Sequence, residues 1–301
     1  MRILSADETR QALPFRPLIG ALKTAIAEYR DASIICPERL VVPTADKHGT
    51  VLSMVAYGPD IIAHKLLTIF PDNTALPTLQ GQVTCLDGRD GRFLFAMDGI
   101  TATERRTAAV SMLGLSCFQP PRLERVLLVG TGAQAAVHLE ALNELYPGLS
   151  VSIRGRNTKR IQSLIEGPYP ALRIEAERNT ADHYDAVITV TSSREILFDR
   201  SASPETLVIG VGAYRPDMVE IGPGIVLGSL CVVDDPVGAP HEAGDILQAG
   251  KDWSEVASLA DFLEKRPVGQ EPVFFKSVGC AAWDLAACRL AMQSLSGALD
   301  I

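Results

Sequence analysis

"RVLLVGTGAQAAVHLEAL", Arg125–Leu142, is the stretch whose reading decides the fold. It begins as a short apolar strand and passes without a spacer into Gly130-Thr131-Gly132-Ala133-Gln134-Ala135. A helix opens at once, with Ala133, Val137, Ala141 and Leu145 along one face. Each small residue of this G-x-G-x-x-A has a mechanical reason. Gly130 permits the tight turn, Gly132 lets a pyrophosphate approach the backbone, and Ala135 lets the helix pack on the strand. The phosphates would meet the unpaired amides at the helix N-terminus. In this strand–turn–helix setting a dinucleotide site is expected in preference to a plain tight turn.

Further along, "LSVSIRG", "LRIEAE", "DAVITVTS", "TLVIGVGAY" and "SLCVVDD" are short, mostly continuous apolar runs separated by helical or loop segments. Strands apolar on both faces are buried on both faces, so a parallel sheet between helices is expected. Upstream the pattern differs. Ser5 and Glu8 have capping-box spacing, and helical periodicity runs through "LIGALKTAIAEY". Then come "RLVVPT", "TVLSMVAY", "AHKLLTIF", "GQVTCLD" and "RFLFAMD", punctuated by Gly, Pro, Asp and Asn, an antiparallel reading. "SVGCAAWDLAACRLAMQSLSGAL" reads as one long helix. The expected class is therefore α/β: a Rossmann-type doubly wound parallel sheet over residues 117–280, beside an α+β region over 1–116. The helix at 281–301 is expected to pack back on either region.

The end of the second strand decides the dinucleotide. An NAD site usually carries an acid there, on the ribose 2′-hydroxyl. Here it reads "SIRGRNTKR", with Arg154 and Arg156 flanking a glycine. Guanidinium forks suit a 2′-phosphate, with Asn157 or Thr158 as a further donor. NADPH is the expected cofactor, and the missing acid does not exclude NADH. Two other strand ends are polar: Thr191-Ser192 and Tyr214. Thr191 and Ser192 serve either the nicotinamide side or an ordinary strand-end turn. Tyr214 stands where a catalytic side chain could, and equally reads as a packing aromatic.

Bulk properties narrow the function. The chain has 301 residues, 47% hydrophobic and 21% charged, enough for a full core. Its net charge of −8, without a Lys/Arg block, speaks against nucleic acid or an anionic membrane as partner. No signal-peptide core or bilayer-length run is seen, and the six cysteines are scattered without Cys-x-x-Cys spacing. A cytoplasmic protein without a disulfide framework or metal is expected. Three cations in the first region adjoin apolar runs or open a helix: Arg39, Lys65 and Arg106. Each taken singly is an ordinary surface cation; Arg106 also stands where a carboxylate or a cofactor phosphate would be welcome.

"PERLVV", "KLLTIFPDNTALPTLQG", "MDGITATERRTAAVS", "VLLVGTGAQA", "GAYRPDMVEI" and "FFKSVGCAAWDLA" together resemble, in order and over nearly the whole chain, the ornithine cyclodeaminase/mu-crystallin family. The resemblance implies a homodimer with an N-terminal dimerisation and substrate domain, to which the C-terminal helix 281–301 returns. It implies that Arg39, Lys65 and Arg106 (not the neighbouring Arg105) bind an α-carboxylate and its adjacent nitrogen. It implies cofactor contacts at Thr78, Ala133, Gln134, Arg156, Thr191 and Ser277, and places Glu242 near the ligand pocket of some members. The cyclodeaminases carry an aspartate where this chain has Tyr214, and a further acid roughly where it has Leu52. Asp217 lies three residues too far along to replace the first. The ketimine reductase branch reads Gly-Ala-Ser-Arg-Pro-Asp and is the nearer pattern. Amine oxidation needs a carboxylate to take the proton, whereas imine reduction delivers one. The expected activity is therefore NAD(P)H-dependent reduction of a small cyclic α-imino acid, Δ1-pyrroline-2-carboxylate or Δ1-piperideine-2-carboxylate. Ornithine or lysine cyclodeamination, and NADPH-dependent binding of a small ligand as in mu-crystallin, are the alternatives.

Overall fold

The structure is a computed structural model and describes residues 1–45, 48–178, 183–264 and 271–296. The chain divides into two units, Met1–Ala109 with Cys280–Ile301, and Val110–Gly279.

The first unit holds strands β1 (Arg2–Ile3), β2 (Leu40–Pro43), β3 (Thr50–Tyr57), β4 (Ile61–Ile69), β5 (Leu79–Asp87) and β6 (Phe93–Asp98). They form one sheet in the order β1-β6-β5-β4-β3-β2. The pairs β2–β3, β3–β4, β4–β5 and β5–β6 are antiparallel. The two-residue β1 is parallel to β6 and too short to leave a sequence signal. The predicted capping box is present: Ser5 accepts from the Glu8 amide, and Glu8 accepts from the Ser5 amide. The helical periodicity is not one helix, however. Pro14 disfavours helical backbone at Leu13, and the chain breaks into α1 (Ala6–Ala12) and α2 (Phe15–Arg30). Helix α2 buries Phe15, Leu18, Leu22, Ala25 and Ile26, a stripe at helical spacing. The C-terminal helix, Ala281–Ser296, buries Trp283, whose ring meets Tyr29 edge-on at 6.0 Å. Its Arg289 bridges Glu28 and Asp60 at 2.5 and 2.7 Å. Residues 297–301 of the expected helix lie outside the described residues.

Helix α3 (Gly99–Phe118) runs across the boundary of the two units. The second unit contains β7 (Arg125–Val129), α4 (Ala133–Leu145), β8 (Ser150–Arg154), α5 (Thr158–Ile165), β9 (Arg173–Ala176), β10 (Ala186–Thr189) and β11 (Arg194–Phe198). Next come β12 (Leu207–Gly210), β13 (Val219–Ile221), α6 (Pro223–Leu227), β14 (Leu230–Val233), α7 (Ala239–Glu242) and α8 (Gly244–Ala249). Strands β15 (Val256–Ser258) and β16 (Val273–Lys276) complete it, and the C-terminal helix is α9. The main sheet runs β15-β14-β16-β12-β10-β7-β8-β9, and each neighbouring pair is parallel. Strands β11 and β13 pair separately. The sequence reading did not foresee β16, a four-residue strand buried throughout. It packs closely: a Cβ on Gly114 of α3 would lie 2.3 Å from the Phe275 ring.

From β7 the chain winds to β8 and β9 in one direction, then returns to β10 and β12 on the other side. The strand order therefore reverses between β7 and β10. In such sheets the crevice beyond the strand ends at this point receives ligands. Among the described residues no helix is long and apolar enough to cross a membrane.

Candidate active site

In the first unit, pleating chooses which residues of β4 face inward. Ile61, Ala63, Lys65 and Leu67 are buried, and Lys65 lies between Met54 of β3 and Val83 of β5. A lysine 1% exposed in such a place needs a counter-charge. It comes from Asp284, in the first turn of α9. Lys65 Nζ lies 2.7 Å from Asp284 Oδ2, and Arg106 Nε of α3 lies 3.4 Å from Oδ1. The α9 N-terminus also favours a negative charge. Two buried cations against one carboxylate leave this cluster one positive charge in excess, before Arg39 is counted. Arg39, one residue ahead of β2, is half-buried and near enough for its charge to act on Lys65.

The lysine is therefore less basic than usual. Burial pushes its pKa down from 10.5 to about 8, Arg106 and Arg39 push the same way, and Asp284 resists them. The neighbouring Arg105 is otherwise occupied: its Nε donates to the Leu13 carbonyl at 2.7 Å and its guanidinium lies 3.9 Å from the Phe15 ring centre. Leu52 pairs with Leu67 and brings no acid to this sheet. Thr78 is exposed ahead of β5, its carbonyl accepting from the Phe70 amide.

In the second unit, the glycine turn fits a dinucleotide. Gly130 has φ +130°, and a Cβ there would lie 2.9 Å from Val190 Cγ2, so a side chain is excluded. Gly132 is the N-cap of α4, with no side-chain cap on the helix and open space where its own Cβ would be. Exposed Ala133 and half-buried Gln134 begin the helix, and Gln134 Oε1 is buried without a hydrogen-bond partner. His138 steadies this first turn. Its Nδ1 lies 2.7 Å from the Gln134 carbonyl and its Nε2 lies 2.9 Å from Ser111 Oγ, and burial lowers its pKa to about 4. It is thus neutral, donating through Nδ1 and accepting through Nε2. An orphaned amide oxygen beside an uncapped N-terminus and a glycine cradle is a donor and acceptor set suited to a pyrophosphate and its ribose.

The expected 2′-phosphate fork needs correcting. Arg154 gives Nε and Nη2 to Glu177 at 2.5 and 2.6 Å, and Nη1 to the Leu197 carbonyl at 2.7 Å. Three of its five N–H groups, the Nε–Nη2 fork among them, are thus used inside the unit. Glu177 follows β9, so the acid arrives from the third strand, where a search of the second could not find it. Asn157 is the N-cap of α5, its side-chain oxygen accepting from the Arg160 amide at 3.1 Å, which leaves its Nδ2 as a donor. Arg156, exposed at the turn between them, makes no hydrogen bond or ion pair with the described residues and is the cation left for a phosphate.

At the other strand ends, Thr191 Oγ1 accepts from the Ser193 amide, the local turn that was the alternative reading; Ser192 is exposed. The Ser277 hydroxyl is 2% exposed and donates to Asp234 at 2.8 Å, so a cofactor contact through that proton is not available. Asp234 also accepts from the Val278 and Gly279 amides. Tyr214 is half-buried, and its hydroxyl has no partner among the described residues. Asp217 is a surface acid bound to Arg215 at 3.0 Å and Arg194 at 2.8 Å. Desolvation opposes its ionisation, but the two guanidinia hold its pKa below the ordinary value. Glu242 ends α7, partly buried.

A model of the ornithine cyclodeaminase/mu-crystallin family matches residues 2–298. The chain belongs to that family. It is 42% identical to a Δ1-pyrroline-2-carboxylate/Δ1-piperideine-2-carboxylate reductase of Azospirillum brasilense, over 98% of this chain and 96% of that protein. It is likewise 42% identical to Δ1-pyrroline-2-carboxylate reductase 2 of Burkholderia ambifaria, over 96% and 94%. The Thermococcus litoralis Δ1-pyrroline-2-carboxylate reductase, solved with NADH and L-proline, superposes with a TM-score of 0.89 at 24% identity, over 99% of both chains. At that identity the likeness speaks for the fold.

Sequence reasoning missed Asp284. A lone acid among alanines and leucines in a buried helix, within a chain holding inward-facing cations, was the available signal. Replacing Asp284 with Asn leaves Lys65 and Arg106 buried without a counter-charge. A loss of ~3 kcal/mol is expected in urea unfolding followed by tryptophan fluorescence. A change below ~0.5 kcal/mol would remove Asp284 from its assigned place.

Proposed function

We propose that this protein is an NAD(P)H-dependent ketimine reductase. It would reduce Δ1-pyrroline-2-carboxylate, and by the same chemistry Δ1-piperideine-2-carboxylate, to L-proline and L-pipecolate. Relatives of that activity at 42% identity over nearly the full length support the reading. The observation that carries it is Tyr214, in the segment that follows β12. Amine oxidation calls for a carboxylate there; this chain has Tyr214, the nearest acid in sequence, Asp217, is tied to two arginines, and the buried Glu220 carboxylate is taken up by the Thr191, Gly212 and Ala213 amides.

The roles follow from charge. Arg106 and Arg39 hold the substrate carboxylate, whose negative charge neutralises the excess on the Lys65–Arg106–Asp284 cluster. Fixing a planar anion through a guanidinium fork also fixes which imine face is presented. Lys65, protonated below about pH 8, donates to the ring nitrogen as the C=N bond becomes C–NH. The nicotinamide, when bound, supplies hydride to C2. Gly130, Gly132, Ala133 and Gln134 would hold the pyrophosphate end, with Thr191 and Ser192 toward the nicotinamide and Arg156 as the reader of a 2′-phosphate. NADPH is thus preferred, with NADH also accepted. Tyr214 shapes the substrate pocket.

The first unit carries the substrate and dimerisation roles in this reading. The outward residues of its sheet include Leu40, Val42, Val55, Tyr57 and Leu66, all more than a third exposed. By register, Leu40 pairs with Ser53 and Val55 with His64, so they share one face opposite Lys65. An apolar sheet face of this kind suits a second copy of the chain. The six free cysteines fit a reducing, cytoplasmic setting.

Arg106→Ala should lower kcat/KM for Δ1-pyrroline-2-carboxylate with NADPH at least ~100-fold, about 2.7 kcal/mol of transition-state stabilisation; near-wild-type kinetics would refute its role. If Lys65 is the donor, kcat/KM in the wild type should fall as pH rises through about 8, because only the protonated amine can give a proton. A profile flat to pH 10 would discard that assignment. Ammonia release from ornithine with added NAD would replace reduction by cyclodeamination. Analytical ultracentrifugation should give a dimer that Val55→Asp converts to monomer; a wild-type monomer would end the dimer reading.

A further inference from the structure

Beneath the strand ends of the second unit lie three charged side chains with no direct part in the chemistry above: Glu220 of β13, Asp245 of α8 and Lys276 of β16, each 1% exposed or less. Their bonds run in sequence. Lys276 Nζ lies 2.8 Å from Asp245 Oδ2, while Asp245 Oδ1 accepts from the Glu220 and Ile221 amides at 2.7 and 3.0 Å. The backbone of Glu220 is thereby fixed. Its own carboxylate reaches the two segments that follow the central strands. Oε1 accepts from the Thr191 amide at 2.6 Å, beyond β10; Oε2 accepts from the Gly212 and Ala213 amides at 2.7 and 3.2 Å, beyond β12.

The same segments press on each other and on the glycine turn. A Cβ on Gly212 would lie 1.8 Å from the Thr191 carbonyl oxygen, so only glycine permits this approach. A Cβ on Gly130 would lie 3.0 Å from the Val190 carbonyl oxygen and 3.3 Å from Thr191 Cγ2. The turn after β7, the segment after β10 and the segment after β12 therefore converge at the point where strand order reverses. Packing alone does not call for an acid here. The residues flanking Glu220, Val219 and Ile221, are buried and apolar, and a hydrophobic residue would fill the space with less desolvation. What only a carboxylate can do is accept from three backbone amides of two separate segments at once.

We propose that Glu220 is a positioning residue for the nicotinamide end of the dinucleotide site, holding the Thr191 and Gly212–Ala213 backbones in the arrangement that receives the ring before the cofactor arrives. This rests on the nicotinamide reading of the site. Burial pushes the Glu220 pKa up, with Lys276 opposing it and Asp245 adding to it, so the donated amides and the nearby ammonium are what keep it able to accept.

Glu220→Gln keeps the size but turns an acceptor into a donor, so at least one of the amides loses its partner. Amide hydrogen exchange at residues 191, 212 and 213 should quicken, while the β10 interior (Val187 to Thr189) keeps its protection. Calorimetry should show the Kd for NADPH raised ~10-fold or more. Loosened amides with a Kd within about twofold of wild type would overturn the proposal alone. If the variant does not fold, the wild type decides: without cofactor the three amides should already be protected, and protection that appears only after NADPH is added would overturn it. A wild type binding neither NADPH nor NADH would overturn the cofactor reading and this proposal with it.

Discussion

A single carboxylate in the first turn of α9 makes the first unit's polar centre tolerable. Lys65 and Arg106 are buried among the side chains of a sheet and its helices, where an isolated charge is strongly disfavoured. Asp284 offsets one of the two and, by lying between them, fixes where both point. The cluster is left short of negative charge. In the proposed function that shortage has a chemical meaning: a substrate carboxylate would complete a set of charges that the folded chain leaves incomplete. The depressed lysine pKa has the same origin, since burial and two neighbouring guanidinia oppose the proton that Asp284 helps retain.

The second unit uses carboxylates differently. Glu220, Asp234 and Asp245 bond to backbone amides at the ends of β10, β12, β13 and β16, and Asp245 also pairs with Lys276. Strand ends in a parallel sheet leave amides whose ladder has stopped, and these must be satisfied where water is excluded. Side-chain carboxylates do this while letting the backbone adopt irregular paths, and irregular backbone is what a ligand crevice requires. The glycines at 130 and 212 permit close approach, and the acids hold what the glycines permit.

Much of this was readable in the chain. The strand–glycine–helix sequence at Arg125–Leu142 announced the dinucleotide turn because Gly130 answers a local steric need and Gly132 leaves the helix N-terminus open. The run "AHKLLTIF" was legible as a strand, but Lys65 within it read as a surface cation until the pleat turned it inward. The failures are equally specific. Arg154 looked like a phosphate reader because its partner, Glu177, lies 23 residues away and meets it only through strand pairing. Asn157 also has a structural task that the sequence reading did not name, since its oxygen caps the helix it begins. Asp284 looked like an incidental acid in an alanine-rich helix, and β16 was too short to show a period.

Local chemistry therefore belonged to the sequence: which segments are strands or helices, where a glycine is obligatory, and which residue types could serve an imine, an anion or a pyrophosphate. Those properties depend on neighbours within a few positions, so the order of residues contains them. Which charges end up paired was decided by the tertiary structure alone. Arg154 is paired with Glu177, Lys65 is held by Asp284, and Glu220 is set against Thr191 and Gly212. The physical reason is that a buried charge is governed by whatever lies within a few ångströms of it, and folding brings those neighbours from anywhere along the chain.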